Sequence, residues 1–161
     1  MRLLTLDPST VALGWAVADL EGMKFDHIAG GTDEFSGDEW WHRVERLGQR
    51  VEELCSTWLP DAVAYEIPTG DHRNKTTDRR MGAVEYAVLL AASYYTDQVW
   101  GFTAGAVSKE NVSKHGLYHE ALFGALVGRP STSDDECDAM ALAFVAQRKY
   151  LDELYGQEEG T

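Results

Sequence analysis

The stretch LLTLDPSTVALGWAV, residues 3–17, decides the fold. Its first half is an apolar run that reads as a buried strand and closes on a carboxylate, Asp7. Pro8, Ser9 and Thr10 are turn residues, and 11–18 reads as a second strand. A carboxylate that closes a core strand is costly to bury unless something positive meets it. Asp7 is therefore the residue whose partner has to be found.

Working outward, a third short strand is expected over 25–30, joined to the second through Glu21 and Gly22 as an antiparallel meander. The period then becomes helical. Trp40, Val44, Leu47, Val51, Leu54 and Trp58 recur every three or four residues from position 38 onward. Arg43, Glu45, Arg46, Arg50 and Glu52 fill the other face, and Pro60 stops the helix. Residues 62–65 form a short apolar strand that finishes on Glu66 and is halted by Pro68 and Gly70. A second carboxylate thus stands at the end of a strand. A helix over 76–95, a strand near 98–103 and two more helices over 109–127 and 133–155 complete the order, with 156–161 (GQEEGT) as a flexible tail. This is one α/β domain, residues 1–155, built on a five-stranded mixed sheet flanked by helices.

If the strands ending at Asp7 and Glu66 lie side by side and parallel, both carboxylates emerge at adjacent carboxyl ends. Open α/β sheets place their ligands in that crevice. A third acidic group lies in PSTSDDECDAMALAFVA, residues 130–146. Ser133 followed by Glu136 is a capping-box pattern, which puts Asp134, Asp135 and Asp138 in the first turns of the last helix. Either Asp134 or Asp135 shares a face with Asp138. For Asp134 and Glu136 a solvated position favoured by the helix dipole suffices. Asp138 runs straight into Ala-Met-Ala-Leu-Ala-Phe-Val, which must be core, and so wants a partner as Asp7 does. Like charges gathered this way raise one another's pKa unless a cation neutralises them, and hard oxygen donors suit Mg²⁺ or Mn²⁺. Carboxylates holding two such ions, roughly 3.5–4 Å apart, are machinery for in-line phosphodiester cleavage.

Bulk composition bounds this reading. The 161 residues are 44% hydrophobic and 11% aromatic, enough for one core. Two cysteines are too few for a disulfide framework, and neither a leader-like segment nor a run of 18 apolar residues occurs, so the chain reads as soluble and intracellular. A net charge of −13 argues against a polyanionic partner. Cys137 reads as a buried thiol; Trp15, Trp40, Trp58 and Trp100 read as core or its border; Trp41 is the better candidate for an exposed aromatic.

LDPSTVALGWAV (6–17), AVAYE (62–66) and DECDAMALA (135–143), in that order, resemble the RuvC family of Holliday-junction resolvases within the RNase H-like superfamily. The resemblance covers residues 1–148 and implies an RNase H-like fold. It also implies Asp7, Glu66, Asp135 and Asp138 as the catalytic and metal-binding tetrad, with Asp134 as a possible substitute for Asp135. Two Mg²⁺ ions per active site are implied, with Mn²⁺ able to replace them. In that scheme Asp7 bridges both ions, Asp138 helps bind the water-activating one and Glu66 the other. The implied activity is that of a crossover junction endodeoxyribonuclease in DNA recombination and repair, a homodimer making paired symmetric nicks in opposing strands of a four-way junction. Dimerisation is implied through the helix segment MGAVEYAVLLAAS, from Met81 to Ser93, and location in the cytoplasm of a bacterial or phage-infected cell.

The chain departs from the family pattern in two places. Ser9 stands where glycine is usual, and Thr69 where familiar members carry an aromatic wedge. Positive charge clusters at Arg73, Lys75, Arg79 and Arg80 in HRNKTTDRR (72–80), which is expected to contact DNA, and the resemblance adds Lys109 and, preferred, Lys114 in the shorter segment SKENVSKHG. Two divalent ions would bring the formal charge of −13 to about −9, leaving an acidic protein whose phosphate contacts salt readily screens. One rival is a less selective RNase H-like nuclease acting on Y-forks, flaps or RNA–DNA hybrids. Another is an actin-like nucleotide-binding fold, suggested by Asp-Pro-Ser-Thr followed by Gly14, but that fold needs a second domain for which 161 residues leave no room.

Overall fold

β1 (Arg2–Pro8) is the central strand of a five-stranded sheet with the order β3-β2-β1-β4-β5, where β2 is Ala12–Glu21, β3 Lys24–Glu34, β4 Ala62–Glu66 and β5 Val99–Phe102. The computed structural model describes residues 1–37, 39–69, 75–106, 127 and 133–155. The expected helix over 109–127, apart from Val127, and the tail over 156–161 lie outside the described residues. β1, β2 and β3 form the antiparallel meander, while β4 and β5 run parallel to β1. β3 is longer than its apolar pattern predicts. It continues past Gly30 to Glu34 because the ladder to β2 persists, with Leu13 opposite Asp33 and Ala12 opposite Glu34.

Among the described residues, three long helices cover the sheet. α1 (Trp40–Trp58) and α2 (Lys75–Ser93) pack on one face, and α3 (Asp134–Tyr155) packs on the other. α1 buries Leu47, Val51, Leu54 and Cys55, the stripe its period predicts. It ends at Leu59, whose backbone is left-handed (φ 47°) and whose N–H donates to the Cys55 carbonyl, one residue before Pro60. Two cores result. Leu4, Leu6, Val63 and Tyr65 meet α1 and α2, while Leu3, Ala62 and Ala64 meet Leu142, Ala143 and Ala146 of α3.

Direction fixes what gathers where. β1, β4 and β5 all point the same way, and α1, α2 and α3 each begin at the end of the sheet where those strands finish. The N–H groups of three helix starts and the carboxyl ends of the parallel strands therefore share one end of the molecule. No helix among the described residues is long and apolar enough to cross a membrane.

Candidate active site

Strand alternation sends Leu3, Thr5 and Asp7 to the face that α3 covers, and the parallel register, with Leu6 beside Tyr65, sends Ala62, Ala64 and Glu66 to the same face. Asp7 and Glu66 thus leave adjacent strands side by side, one residue beyond the last paired positions. Across from them, α3 lays Ala139, Leu142, Ala143 and Ala146 along the sheet. Asp138 and Asp135 continue that stripe one turn toward the helix start. The buried Thr5 hydroxyl donates to the Ala139 carbonyl at 2.7 Å, which fixes α3 against β1 next to Asp138.

Gly14 makes the approach possible. It lies opposite Asp7 in the β1–β2 ladder, and a Cβ built on it would stand 2.1 Å from the carbonyl oxygen of Asp135. Only glycine lets the first turn of α3 rest on the strand there. Ser133 caps the helix, accepting the Glu136 N–H at 3.1 Å, and the Thr32 hydroxyl of β3 forms a short hydrogen bond to the Ser133 hydroxyl. The β1–β2 turn is braced by Ser9, whose hydroxyl accepts the Ala12 N–H at 2.9 Å. Where the family pattern has a permissive glycine, this chain uses a side-chain hydrogen bond.

The electrostatics are those of a crowded carboxylate cluster. Burial, then the charges of Glu66, Asp138 and Asp135, push the Asp7 carboxyl up to about 7. Glu66 is raised by burial and then by Asp138. Asp135 is raised by burial, then by Asp138, Asp134 and Glu34. Asp7 is thus within electrostatic reach of the other three acids of the expected tetrad. Asp134 is exposed and is not among the charges acting on Asp7, so Asp135 is the residue facing the strand ends. Glu34 was not foreseen beside the cluster, because β3 was expected to stop four residues earlier.

A divalent cation suits this donor set. All four groups are hard oxygen ligands, and the influences on Asp7 all push in the direction that a bound cation would reverse. As placed, no three Asp, Glu, His or Cys side chains among the described residues converge tightly enough to hold an ion.

Glu136 corrects an expectation. Rather than a solvated acid at a helix start it is fully buried, and its Oε1 lies 3.2 Å from where a Cβ on Gly30 would stand, with His27 Nε2 also 3.2 Å from that point. The capping-box pattern hides this, because Ser133 does cap the helix as the pattern expects. Of the basic residues, Lys75 and Arg79 are exposed in the first turns of α2, which follows the strand that ends at Glu66, and Arg80 is half-buried with its guanidinium carbon 5.8 Å from the Trp40 ring centroid. Arg73, Lys109 and Lys114 lie outside the described residues. Cys137 is buried, as expected, and Thr69 is exposed just past Glu66.

No family model matches the chain. Comparison with known proteins nonetheless gives consistent relatives. The crossover junction endodeoxyribonuclease RuvC of Rubrobacter xylanophilus is 30% identical over 149 residues, covering 88% of this chain and 82% of that protein. Its counterpart in Rickettsia bellii is 26% identical over 150 residues, covering 89% and 95%. Among solved structures, Thermus thermophilus RuvC in complex with Holliday junction substrate superposes with a TM-score of 0.77 at 23% identity, covering 94% of this chain and 96% of that one. The yeast mitochondrial Holliday junction resolvase Ydc2 superposes with a TM-score of 0.61 at 13% identity, covering 96% and 83%. These structural likenesses establish the shared fold. RuvC of Ruegeria pomeroyi is 33% identical over 149 residues, 89% of each chain, and with that relative the present chain belongs to the RuvC family of crossover junction endodeoxyribonucleases.

Proposed function

We propose that this chain is a metal-dependent endonuclease that resolves four-way DNA junctions by paired, symmetric nicks in opposing strands. The observation that carries the chemistry is Asp7, a carboxyl at the end of the central strand, held up at about 7 by burial and by Glu66, Asp138 and Asp135. These four side chains would hold two Mg²⁺ ions, with Mn²⁺ an acceptable replacement. When bound, the ions supply Lewis-acid polarisation of the scissile phosphate and a more acidic attacking water. Asp7, fixed by the β1 ladder, and Glu66, fixed by β4, present oxygens from rigid strands. Asp138 and Asp135 close the site from α3, whose position is set by the Thr5 bond and the Gly14 contact. The elements that carry the four acids are thus fixed relative to one another, which would lower the entropic cost of orienting a phosphate between them.

Lys75, Arg79 and Arg80, together with Arg73, Lys109 and Lys114, would contact backbone phosphates. A two-fold symmetric junction calls for a two-fold symmetric enzyme. α2 buries Val84, Val88, Ala91 and Ala92 against its own core and leaves Tyr86, Leu89 and Leu90 exposed on the opposite side, which supports a homodimer through the helix segment 81–93. Residues 1–155 would be one nuclease domain acting in the cytoplasm.

The deciding experiment compares the unsubstituted protein with Asp7→Asn, with and without Mg²⁺, on a four-way junction, a Y-fork, a linear duplex and an RNA–DNA hybrid. Symmetric nicks on the junction that need both Asp7 and the metal support the reading. Equal cleavage of fork and junction would replace it with a branched-DNA nuclease of looser choice, and cleavage without metal would overturn it.

A further inference from the structure

The same end of the molecule carries an aromatic group that the carboxylate chemistry does not use. α1 opens with Trp40, Trp41 and His42, and Arg43 of this turn donates through Nε to the Thr10 carbonyl at 2.9 Å, three residues along the chain from Asp7. The first turn of α1 is therefore bonded to the turn that follows the first catalytic strand. Trp41 is 49% exposed, unusual for so large an apolar ring. It is not loose. Its ring meets Trp40 edge-on at 5.9 Å and 81°, and His42 at 5.9 Å and 68°.

Its setting is cationic. Arg80 of α2 lies over Trp40, 5.8 Å from the ring centroid, and its Nε is buried without a hydrogen-bond partner among the described residues. Arg43 and Arg46 bond the main-chain carbonyls of Gly37, His42 and Ser36, neutral groups that leave the guanidinium charge in place. Glu39 and Glu45 belong to the same segment, so the patch is mixed in charge, and a partner held by phosphate contacts alone would be held weakly. An exposed indole whose neighbouring ring carries a guanidinium with an unpartnered Nε suits a planar base attached to a phosphate. An apolar protein surface would leave that guanidinium desolvated and unpaired.

We propose that the first turn of α1 is a base-stacking station: Trp41 takes an unpaired nucleobase at the branch point, and Arg80, lying on Trp40, meets the adjoining phosphate. This rests on the reading that the carboxylate end cuts branched DNA. It also answers how a chain of net charge −13 holds a polyanion. Phosphate contacts on an acidic protein are screened by salt, whereas stacking uses the face of the base and carries no counterion cost.

The test uses the full chain carrying Asp7→Asn to stop cleavage, with a four-way junction bearing 5-iododeoxyuridine at the branch point. Ultraviolet light should link the halogenated base to Trp41, as read by mass spectrometry of the peptide. Trp41→Ala should remove the adduct and weaken junction binding about five- to hundredfold, leaving the slope of log affinity against log salt unchanged. Trp41→Phe should recover most of the affinity. Arg80→Ala should instead reduce that slope by about one. Full affinity and an adduct elsewhere in Trp41→Ala overturn the station. So does an oligomeric state that depends on Trp41 while DNA affinity does not. Failure of the parent protein to prefer the junction over linear duplex overturns the junction reading itself, and the two failures are told apart by that control.

Discussion

Acids gather at both ends of β1, and the two clusters behave in opposite ways. Near its start, Asp19 receives Arg2 through two hydrogen bonds of 2.9 and 3.0 Å, and Asp61 accepts the Arg2 N–H. The hydrogen bond from Arg2 lowers the Asp19 pKa. Near its finish, Asp7 meets Glu66, Asp138 and Asp135, and its pKa rises to about 7. One strand thus joins acids that the chain neutralises itself to acids that it leaves facing one another. The first arrangement is complete in the folded protein. The second is a standing electrostatic deficit, and a fold retains such a deficit where a cation from outside is to be held.

The sharpest way to break this contrast is Asp7→Asn. Single-turnover cleavage of a four-way junction in Mg²⁺ should fall by about a thousandfold or more, the scale on which a charged group at the reacting centre acts. Gly14→Ala comes next. The added methyl would meet the Asp135 carbonyl at 2.1 Å and displace the first turn of α3. We expect a rate loss of about a hundredfold, as for a misplacement of roughly 1 Å, and a destabilisation of about 1–3 kcal/mol by thermal melting.

The third effect is in stability against pH. Below about pH 4 the Asp7 carboxyl carries its proton in both folded and unfolded chains, so it costs nothing. Between pH 4 and about 7 the unfolded chain has released that proton while the folded one retains it, and stability falls as pH rises. Above about 7 the penalty is complete, at most about 4 kcal/mol. Metal-free Asp7→Asn protein should therefore melt higher than its parent at pH 8 and no higher at pH 4, and a parallel pH profile for the two proteins would refute the cluster. The smallest effect belongs to the other end of the strand. Asp19→Asn breaks a pair whose side chains are 39% and 42% exposed, so the loss should stay below about 1 kcal/mol with cleavage unchanged within about twofold.

Much of this site was legible in the sequence because each carboxylate interrupts a pattern. Asp7 closes an apolar run, Glu66 closes another, and Asp138 borders a core helix, so three acids stood out where burial should have forbidden them. The parallel pairing of β1 with β4 is one arrangement that the helical segment between them allows, and the observed register is parallel. Other features required contacts that no local pattern encodes. Gly14 stands out in the sequence only as part of a rival phosphate-loop pattern, yet its role is to receive a helix that begins about 120 residues later in the chain. Glu136 fitted a capping box and is instead packed against β3. The choice between Asp134 and Asp135 depended on the rotation of α3 about its axis, which the Thr5 bond and Gly14 set from outside the helix.

The Thr5 bond to Ala139 has one more effect. Its two ends lie two residues from Asp7 on the strand and one residue from Asp138 on the helix, so a single buried hydroxyl indexes one element against the other. A helix advances about 1.5 Å per residue, and a slip of one position would carry the Ala139 carbonyl out of reach of a side chain that cannot follow. The offset between the backbone positions of the two acids is thereby set by one buried side chain.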